Sequence, residues 1–284
     1  MLIEAIAQMQ QWSEAMRTQG NTIGLVPTMG FLHEGHCALI KTAAQECSVV
    51  ITTVFVNPLQ FGPSEDFARY PRDLERDIQL ATQAGATVVF APTVEHMYPA
   101  GYAAMIDPGP IAEKFEGIFR PGHFRGVATV VAKLFNITKP HVAYFGQKDY
   151  QQTLVISQLI RDLNFDIRMR VLPTVRQDDG LALSSRNVYL SPQERQQATI
   201  LYRALQEAEY AIRQGERRRE TINTLLRHTI EAGCPEIKIE YAAAATAETL
   251  EEPEFFASGS RVVLLLAVRL GTARLIDNSL VEVP

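Results

Sequence analysis

Two rhythms of apolar and polar residues run through the first 175 positions. TIGLVPT (22–28), SVVITTVFV (48–56), ATVVFA (86–91), HVAYFG (141–146) and DIRMRVL (166–172) are short, apolar and rich in β-branched residues. Runs such as SVVITTVFV, with almost no polar alternation, suit strands buried on both faces of a parallel sheet. Between them the apolar positions recur at helical spacing. They predict helices from about His33 to Cys47, from Pro71 to Gly85, from Arg125 to Asn136 and from about Asp149 to Leu163. Pro71 suits a first helical position, where its missing N–H costs nothing. Strands alternating with helices predict an α/β fold, a doubly wound, Rossmann-like parallel sheet. Ligands of such sheets bind beyond the carboxyl ends of the strands.

After residue 175 the pattern changes. SPQE (191–194) reads as a capping box: Ser191 caps, Pro192 enters the first turn and Glu194 reaches back. Helices over 192–213 and 217–232 follow, and KIEYAAAA, RVVLLLAVRL and TARLID then read as strands of a small sheet. The expected division is 1–175 for the sheet domain and 176–284 for a smaller α+β domain. No internal repeat is visible. The charge runs ERRRE (216–220) and ETLEE (248–252) read as solvated faces.

Composition narrows the partners. The 284 residues carry a formal charge of −5, which argues against a surface built for a long nucleic acid. Cys37, Cys47 and Cys234 form no disulfide framework and point to a reducing, cytoplasmic setting. MLIEAIAQMQQWSEAM is amphipathic and acidic, unlike a signal peptide, and VVLLLAV (262–268) is too short to span a bilayer.

The candidate chemistry sits in four loops, each just after a predicted strand. TMGFLHEGH (28–36) offers Met29, Gly30, His33 and His36; FVNPLQFGP offers Asn57 and Gln60; FGQKDYQQ offers Lys148, Asp149 and Gln152; DGLALSSRN offers Ser184, Ser185 and Arg186. Polar loops at one edge of one sheet make a binding site, and their chemistry suits phosphate. A glycine lets the backbone approach an anion, a following helix aims N–H groups at it, and the histidines add donors. Lys148 and Arg186 add positive charge, and the serines add hydroxyl donors. Neither G-x-x-x-x-G-K-[ST] nor G-x-G-x-x-G occurs.

Plainer readings stand beside this one. As zinc ligands His33 and His36 need a third partner, such as His96 or His123, and no spacing supplies it. Cys37 next to His36 invites a thiol nucleophile, but adjacent helical positions point in different directions and a small buried cysteine is commoner. His123 in RPGHFRG reads equally as an anion contact and as a helix cap.

Taken together, TMGFLHEGH, VNPLQFG, RYPRDLERD, RPGHFRGV, FGQKDYQQ and DGLALSSRN resemble, in order, the pantothenate synthetases, the pantoate–β-alanine ligases of the nucleotidyltransferase superfamily. The resemblance runs from the first strand to about residue 190, with a weaker match in the smaller domain, which it implies is lid-bearing and dimer-associated. It implies a homodimeric, cytoplasmic ligase acting on small molecules, with no nucleic-acid or membrane partner. Pantoate and ATP would give pantoyl adenylate and pyrophosphate, and β-alanine would then displace AMP.

By this resemblance Met29, Gly30, Phe31, Leu32, His33, Glu34, Gly35 and His36 form an ATP loop, with His36 as proton donor. Gly146, Gln147, Lys148, Asp149, Val175, Leu183, Ser184, Ser185 and Arg186 also touch the nucleotide, the last four resembling a mobile lid. Gln60 and Gln152 hold pantoate, and Gln60 borders β-alanine. His33, His36, Lys148, Ser185 and Arg186 make up the catalytic set. Mg²⁺ is implied with ATP, and no zinc or organic cofactor. Asp77 lies where an acidic Mg²⁺ contact would fall, but with Arg76 beside it no metal ligand is assigned. Gln147 replaces the family's usual glutamate.

Two rivals remain at this stage. Another nucleotidyltransferase would share H-x-x-H but not the two glutamines, and a nucleotide-binding module would release no pyrophosphate. The chain leaves little room for the tRNA-binding domain of an aminoacyl-tRNA synthetase.

Overall fold

The computed structural model describes residues 1–63 and 65–284. They divide into two compact units, one of Met1–Gln147 with Gln151–Pro173, the other of Lys148–Tyr150 with Thr174–Pro284.

The first unit is a parallel sheet of β1 (Leu2–Ile3), β2 (Ile23–Thr28), β3 (Val49–Val54), β4 (Val88–Phe90), β5 (Val142–Gly146) and β6 (Arg168–Leu172). The spatial order is β1-β4-β3-β2-β5-β6, and every pair is parallel. Helices α1 (Ile6–Thr18), α2 (Glu34–Glu46), α3 (Leu74–Ala84), α4 (Val94–Met97), α5 (Glu116–Phe119), α6 (His123–Thr138) and α7 (Tyr150–Asp162) connect or flank the strands. The doubly wound expectation therefore holds. Ile23, Leu25 and Val26 of β2 and Val50 and Ile51 of β3 are essentially inaccessible to solvent. That double-sided burial explains why these strands lack polar alternation.

One strand was not expected and two helix starts differ from expectation. The two-residue β1 is too short to carry a period, and its place is fixed by pairing with Val89 and Phe90. Pro71 lies outside α3: Asp73 is the N-cap, its side chain accepting from the Arg76 amide at 3.1 Å, so the helix starts at Leu74. At the other end Gly85 closes α3 with φ +110°. Finally, α6 begins at His123, two residues early, with Gly122 at φ +81° as its N-cap.

The second unit packs α8 (Pro192–Gln197), α9 (Ile200–Arg213) and α10 (Arg219–Gly233) with an antiparallel sheet in the order β7 (Lys238–Thr246), β8 (Arg261–Leu270), β9 (Ala273–Glu282). The Ser191–Glu194 capping box is present. The single helix expected over 192–213 is instead two. Around Ala198 and Thr199 the bonds tighten to three-residue spacing, Thr199 N to Gln196 O and Leu201 N to Ala198 O, and the Thr199 hydroxyl also takes Gln196 O. The last strand continues past Asp277, where TARLID was expected to end, pairing with β8 from Leu270↔Ala273 to Arg261↔Glu282. Asp277 and Asn278 look like turn residues in sequence, yet both are buried in the strand with polar partners.

One strand contact carries a pH signature. His141 Nδ1 accepts from the Ile23 amide at 3.0 Å. Burial, reinforced by the nearby Arg17 charge and opposed by Asp166, holds its imidazole below the usual histidine range. A base whose folded pKa is lowered binds more protons when unfolded, so stability rises with pH across that window. Melting temperature should therefore fall as pH drops below about 6.5, the ordinary histidine value. The variant His141→Asn keeps an acceptor but does not titrate, and it should flatten that part of the profile in thermal melts. An identical slope in the variant would refute the assignment.

Candidate active site

Chain order reverses around β2: β3 and β4 extend to one side, β5 and β6 to the other. This is the topological switch point, where open α/β sheets leave a crevice beyond their carboxyl ends. Because β2, β3 and β5 are parallel neighbours, the segments beginning at Met29, Phe55 and Gln147 leave the same edge.

The first segment is held in detail. Gly30 and Phe31 both have left-handed backbone, φ +84° and +49°. The Thr28 hydroxyl accepts from Gly30 N at 3.1 Å and donates to Thr53 O at 2.5 Å, which ties the loop to β3. The buried Asp77 of α3 accepts from Phe31 N at 2.7 Å and from Leu32 N at 2.6 Å. Arg76 Nη1 donates to Leu32 O at 3.0 Å, and its guanidinium lies 5.1 Å from the Phe31 ring centroid. The anion that the glycine admits is thus a protein carboxylate: a Cβ on Gly30 would sit 2.8 Å from Asp77 Oδ2.

His33 is the N-cap of α2, and its Nδ1 accepts from Gly35 N at 3.1 Å. His36 Nδ1 in turn accepts from His33 N at 3.3 Å, and the rings lie 4.1 Å apart between centroids. Backbone amides can only donate, so both Nδ1 atoms are unprotonated. The ring proton of each neutral imidazole is therefore on Nε2. Two neutral rings can then donate hydrogen bonds to an anion without being imidazolium ions.

Gln60 closes a 3₁₀ turn at Pro58–Gln60 and is buried. Its Nε2 approaches Met29 Sδ at 3.2 Å, which joins the first two loops. Asn57 Nδ2 donates to Gln60 Oε1 and to Gly126 O, both at 3.1 Å, and Tyr98 OH donates to Asn57 Oδ1 at 2.7 Å. His123 donates from Nδ1 to Gln60 O at 2.9 Å and accepts from Arg120 Nη1 at 3.1 Å. These bonds make His123 a support of the Gln60 backbone. Arg120 pairs with Glu65 at 2.6 Å. Gly126 is required by close approach, since a Cβ there would lie 2.2 Å from Leu59 O. Gly146 ends β5, Gln147 opens a short 3₁₀ turn, and Gln152 occupies the first turn of α7.

The second unit holds the other candidates. Lys148 is half-buried and Asp149 exposed, and Asn278 Nδ2 donates to Lys148 O at 2.8 Å. Leu183 N donates to Val175 O at 3.0 Å, and Arg176 bridges to Ala182, so 175–183 forms a narrow double-backed loop. Arg176 makes a two-pronged pair with Asp277 at 2.6 and 2.8 Å, donates to Gly180 O, and stacks on Tyr202. From that base Ser184 caps the 3₁₀ turn Ser185–Tyr189, its hydroxyl accepting from Arg186 N at 3.2 Å. Ser185 is buried. Lys148, Ser184 and Asp277 line one small cavity.

Comparison with known proteins decides the family. The family model described as pantoate-beta-alanine ligase matches residues 1–280. The chain belongs to the pantoate–β-alanine ligase family. The pantothenate synthetase of Moorella thermoacetica is 54% identical over 282 residues, 99% of each chain. That of Roseiflexus castenholzii is 52% identical over 280 residues, 99% of this chain and 100% of the other. Among solved structures, pantothenate synthetase from Thermus thermophilus superposes with a TM-score of 0.90 at 46% identity, covering 98% of each chain. The pantoate-beta-alanine ligase of Francisella tularensis, solved in complex with beta-gamma ATP and beta-alanine, gives a TM-score of 0.81 at 37% identity, over 99% of this chain and 97% of that one.

Of the rival readings of the first loop, the thiol nucleophile loses ground. Burial pushes the Cys37 thiol up, so it is not poised as a thiolate. Among the described residues no three His, Cys, Asp or Glu side chains gather as a metal-binding group, and no described helix is long and apolar enough to cross a membrane. Sequence reasoning named Asp77, Arg76 and His123 but not the contacts they make, and it passed over Glu65 and the Arg176–Asp277 base. One signal was legible: Asp77 shares the buried face of α3 with Ala81 and Ala84, at four- and seven-residue spacing. A carboxylate on a core-facing position demands buried partners.

Proposed function

We propose that this enzyme condenses pantoate with β-alanine to give pantothenate, using ATP and passing through pantoyl adenylate. The pantoate carboxylate attacks the α-phosphorus of ATP, forming a mixed anhydride as the bond to pyrophosphate breaks. The β-alanine amine then attacks the acyl carbon, the amide forms and AMP leaves. The observation that carries this reading is a match to the ligase family along nearly the whole chain, with the two-histidine loop and Gln60 at the sheet's switch point.

In this reading charge grows on the α-phosphate and on departing pyrophosphate, so fixed donors and cations must do the catalysis. The Nε2–H groups of His33 and His36, with Lys148, Ser185 and Arg186, are the groups assigned to that charge. The residues assigned to ATP in this reading are Met29–His36, Gly146–Asp149, Val175 and Leu183–Arg186. Gln60 and Gln152 hold pantoate, and Gln60 borders β-alanine. The described residues do not form a Mg²⁺ site of their own: no acidic group gathers, and both Asp77 oxygens are engaged by backbone amides. The ion is assigned to the ATP phosphates. The reading includes a cytoplasmic homodimer, and Cys37, Cys47 and Cys234 are all free thiols, as a reducing compartment requires.

The decisive test is isotope exchange. ATP and pantoate, without β-alanine, should support exchange of labelled pyrophosphate into ATP. Exchange that appears only when β-alanine is added would rule out the stepwise route.

A further inference from the structure

Successive backbone amides that a turn aims at one concave side form a nest, and nests bind anions. The turn through Gly30 and Phe31, with φ +84° and +49°, makes one at the head of α2, where the Phe31 and Leu32 amides point to a common acceptor. In a nucleotide-binding loop the natural expectation is that a phosphate fills the nest. Here Asp77 reaches it from α3, 46 positions along the chain, and accepts from Phe31 N at 2.7 Å and Leu32 N at 2.6 Å. Such short bonds to an ionised acceptor are the stronger kind. Asp77 is 1% exposed, and Gly30 leaves it no more room, since a Cβ would meet its Oδ2 at 2.8 Å. Arg76 grips the other side of the same loop through Leu32 O and the Phe31 ring.

We infer that Asp77 is a positioning residue for adenylation: it supplies the anion of this nest and so fixes the loop that orients His33 and His36. It is not a ligand for the metal, and the loop's nest is not a seat for phosphate. The kinetic part of this inference rests on the proposed adenylation; the geometric part does not. The chain of contacts is continuous: Asp77 holds Leu32 N, the next residue His33 caps α2, and the His33 amide holds His36 Nδ1. Releasing Leu32 therefore frees both imidazoles to rotate, and small misplacements of reacting groups cost large factors in rate. Burial holds the Asp77 carboxyl above the usual aspartate value, although the amides of Leu32 and Phe31 draw it down.

The test uses Asp77→Asn, which keeps the shape but sets an NH₂ group against a backbone N–H. In the unliganded wild-type protein, ¹⁵N spectra should give His33 and His36 as single Nε2–H tautomers, with the Phe31 and Leu32 amide protons far downfield. Added pyrophosphate should move imidazole signals and leave those two amides in place. In Asp77→Asn the tautomers should mix, and turnover in pyrophosphate exchange should fall at least tenfold with the Mg²⁺ half-saturation unchanged. Unchanged imidazole spectra with exchange within twofold of wild type would overturn the inference. So would rescue of the variant by excess Mg²⁺, which marks a metal ligand. Should the variant not fold, the wild-type amides decide: a shift of both with pyrophosphate puts phosphate in the nest. A wild-type protein inactive in exchange defeats the proposed function instead, and leaves the spectral test standing.

Discussion

His36→Ala should slow formation of the acyl adenylate roughly 10²–10³-fold, the usual loss when one donor to a developing oxyanion is removed. The ring carries its proton on Nε2 because Nδ1 is engaged by the His33 amide. Alanine thus removes the outer donor and leaves the His33 N–H without its acceptor. Lys148→Ala should be at least as damaging, because a full charge is lost, and a charged donor is worth about twice a neutral one. Cys37→Ser should retain most activity, since burial keeps that thiol from ionising and no step uses it. Single-turnover formation of pantoyl adenylate in the three variants, with thermal melts as the folding check, measures all of this. A folded but inert Cys37→Ser beside an active His36→Ala would replace the phosphate-donor reading with a covalent mechanism.

Asp277→Ala should destabilise the second unit by about 3–5 kcal/mol, the cost of leaving one partner of a buried ion pair uncompensated. The Asp277 side chain is 2% exposed and that of Arg176 is 17%. Arg176 also donates to Gly180 O and Asn278 O. Removing the carboxylate leaves a guanidinium with carbonyls and the Tyr202 ring but no counter-charge. The double variant Arg176→Met/Asp277→Leu should lose much less than the sum of the single changes, because a hydrophobic pair removes both desolvation costs. Urea denaturation followed by circular dichroism would measure each term. Additive losses would mean that the pair does not act as a unit. Ser184 to Arg186 follow this base directly in the chain, so Asp277→Ala should also raise amide exchange at Leu183 and Arg186.

Much of the candidate site was legible because its residues lie near one another in sequence. The glycine and histidines of TMGFLHEGH meet through bonds two and three residues long, and the Ser191–Glu194 box closes over three. Local chemistry of this sort can be read directly from spacing. Other features were misread for equally local reasons. Asp73 overrode Pro71 as the start of α3 because a capping side chain satisfies amides that proline merely lacks. The strand TARLID was ended at Asp277 because polar residues usually end strands, yet here buried partners carry it through Asn278.

By itself the sequence determined the alternation of strands and helices, the parallel sheet and the loops at its carboxyl edge. Burial on both faces of β2 and β3 imposes runs of apolar residues, and helices against the sheet impose their own period. Only the tertiary structure decided what holds those loops. Asp77 reaches Phe31 across 46 positions, His123 reaches the Gln60 carbonyl across 63, and Arg176 finds Asp277 across 101. A buried polar group must be satisfied, but neither spacing nor period says by which residue. That choice is made when the chain folds and brings distant segments within bonding distance, and here it sets the backbone of the two-histidine loop.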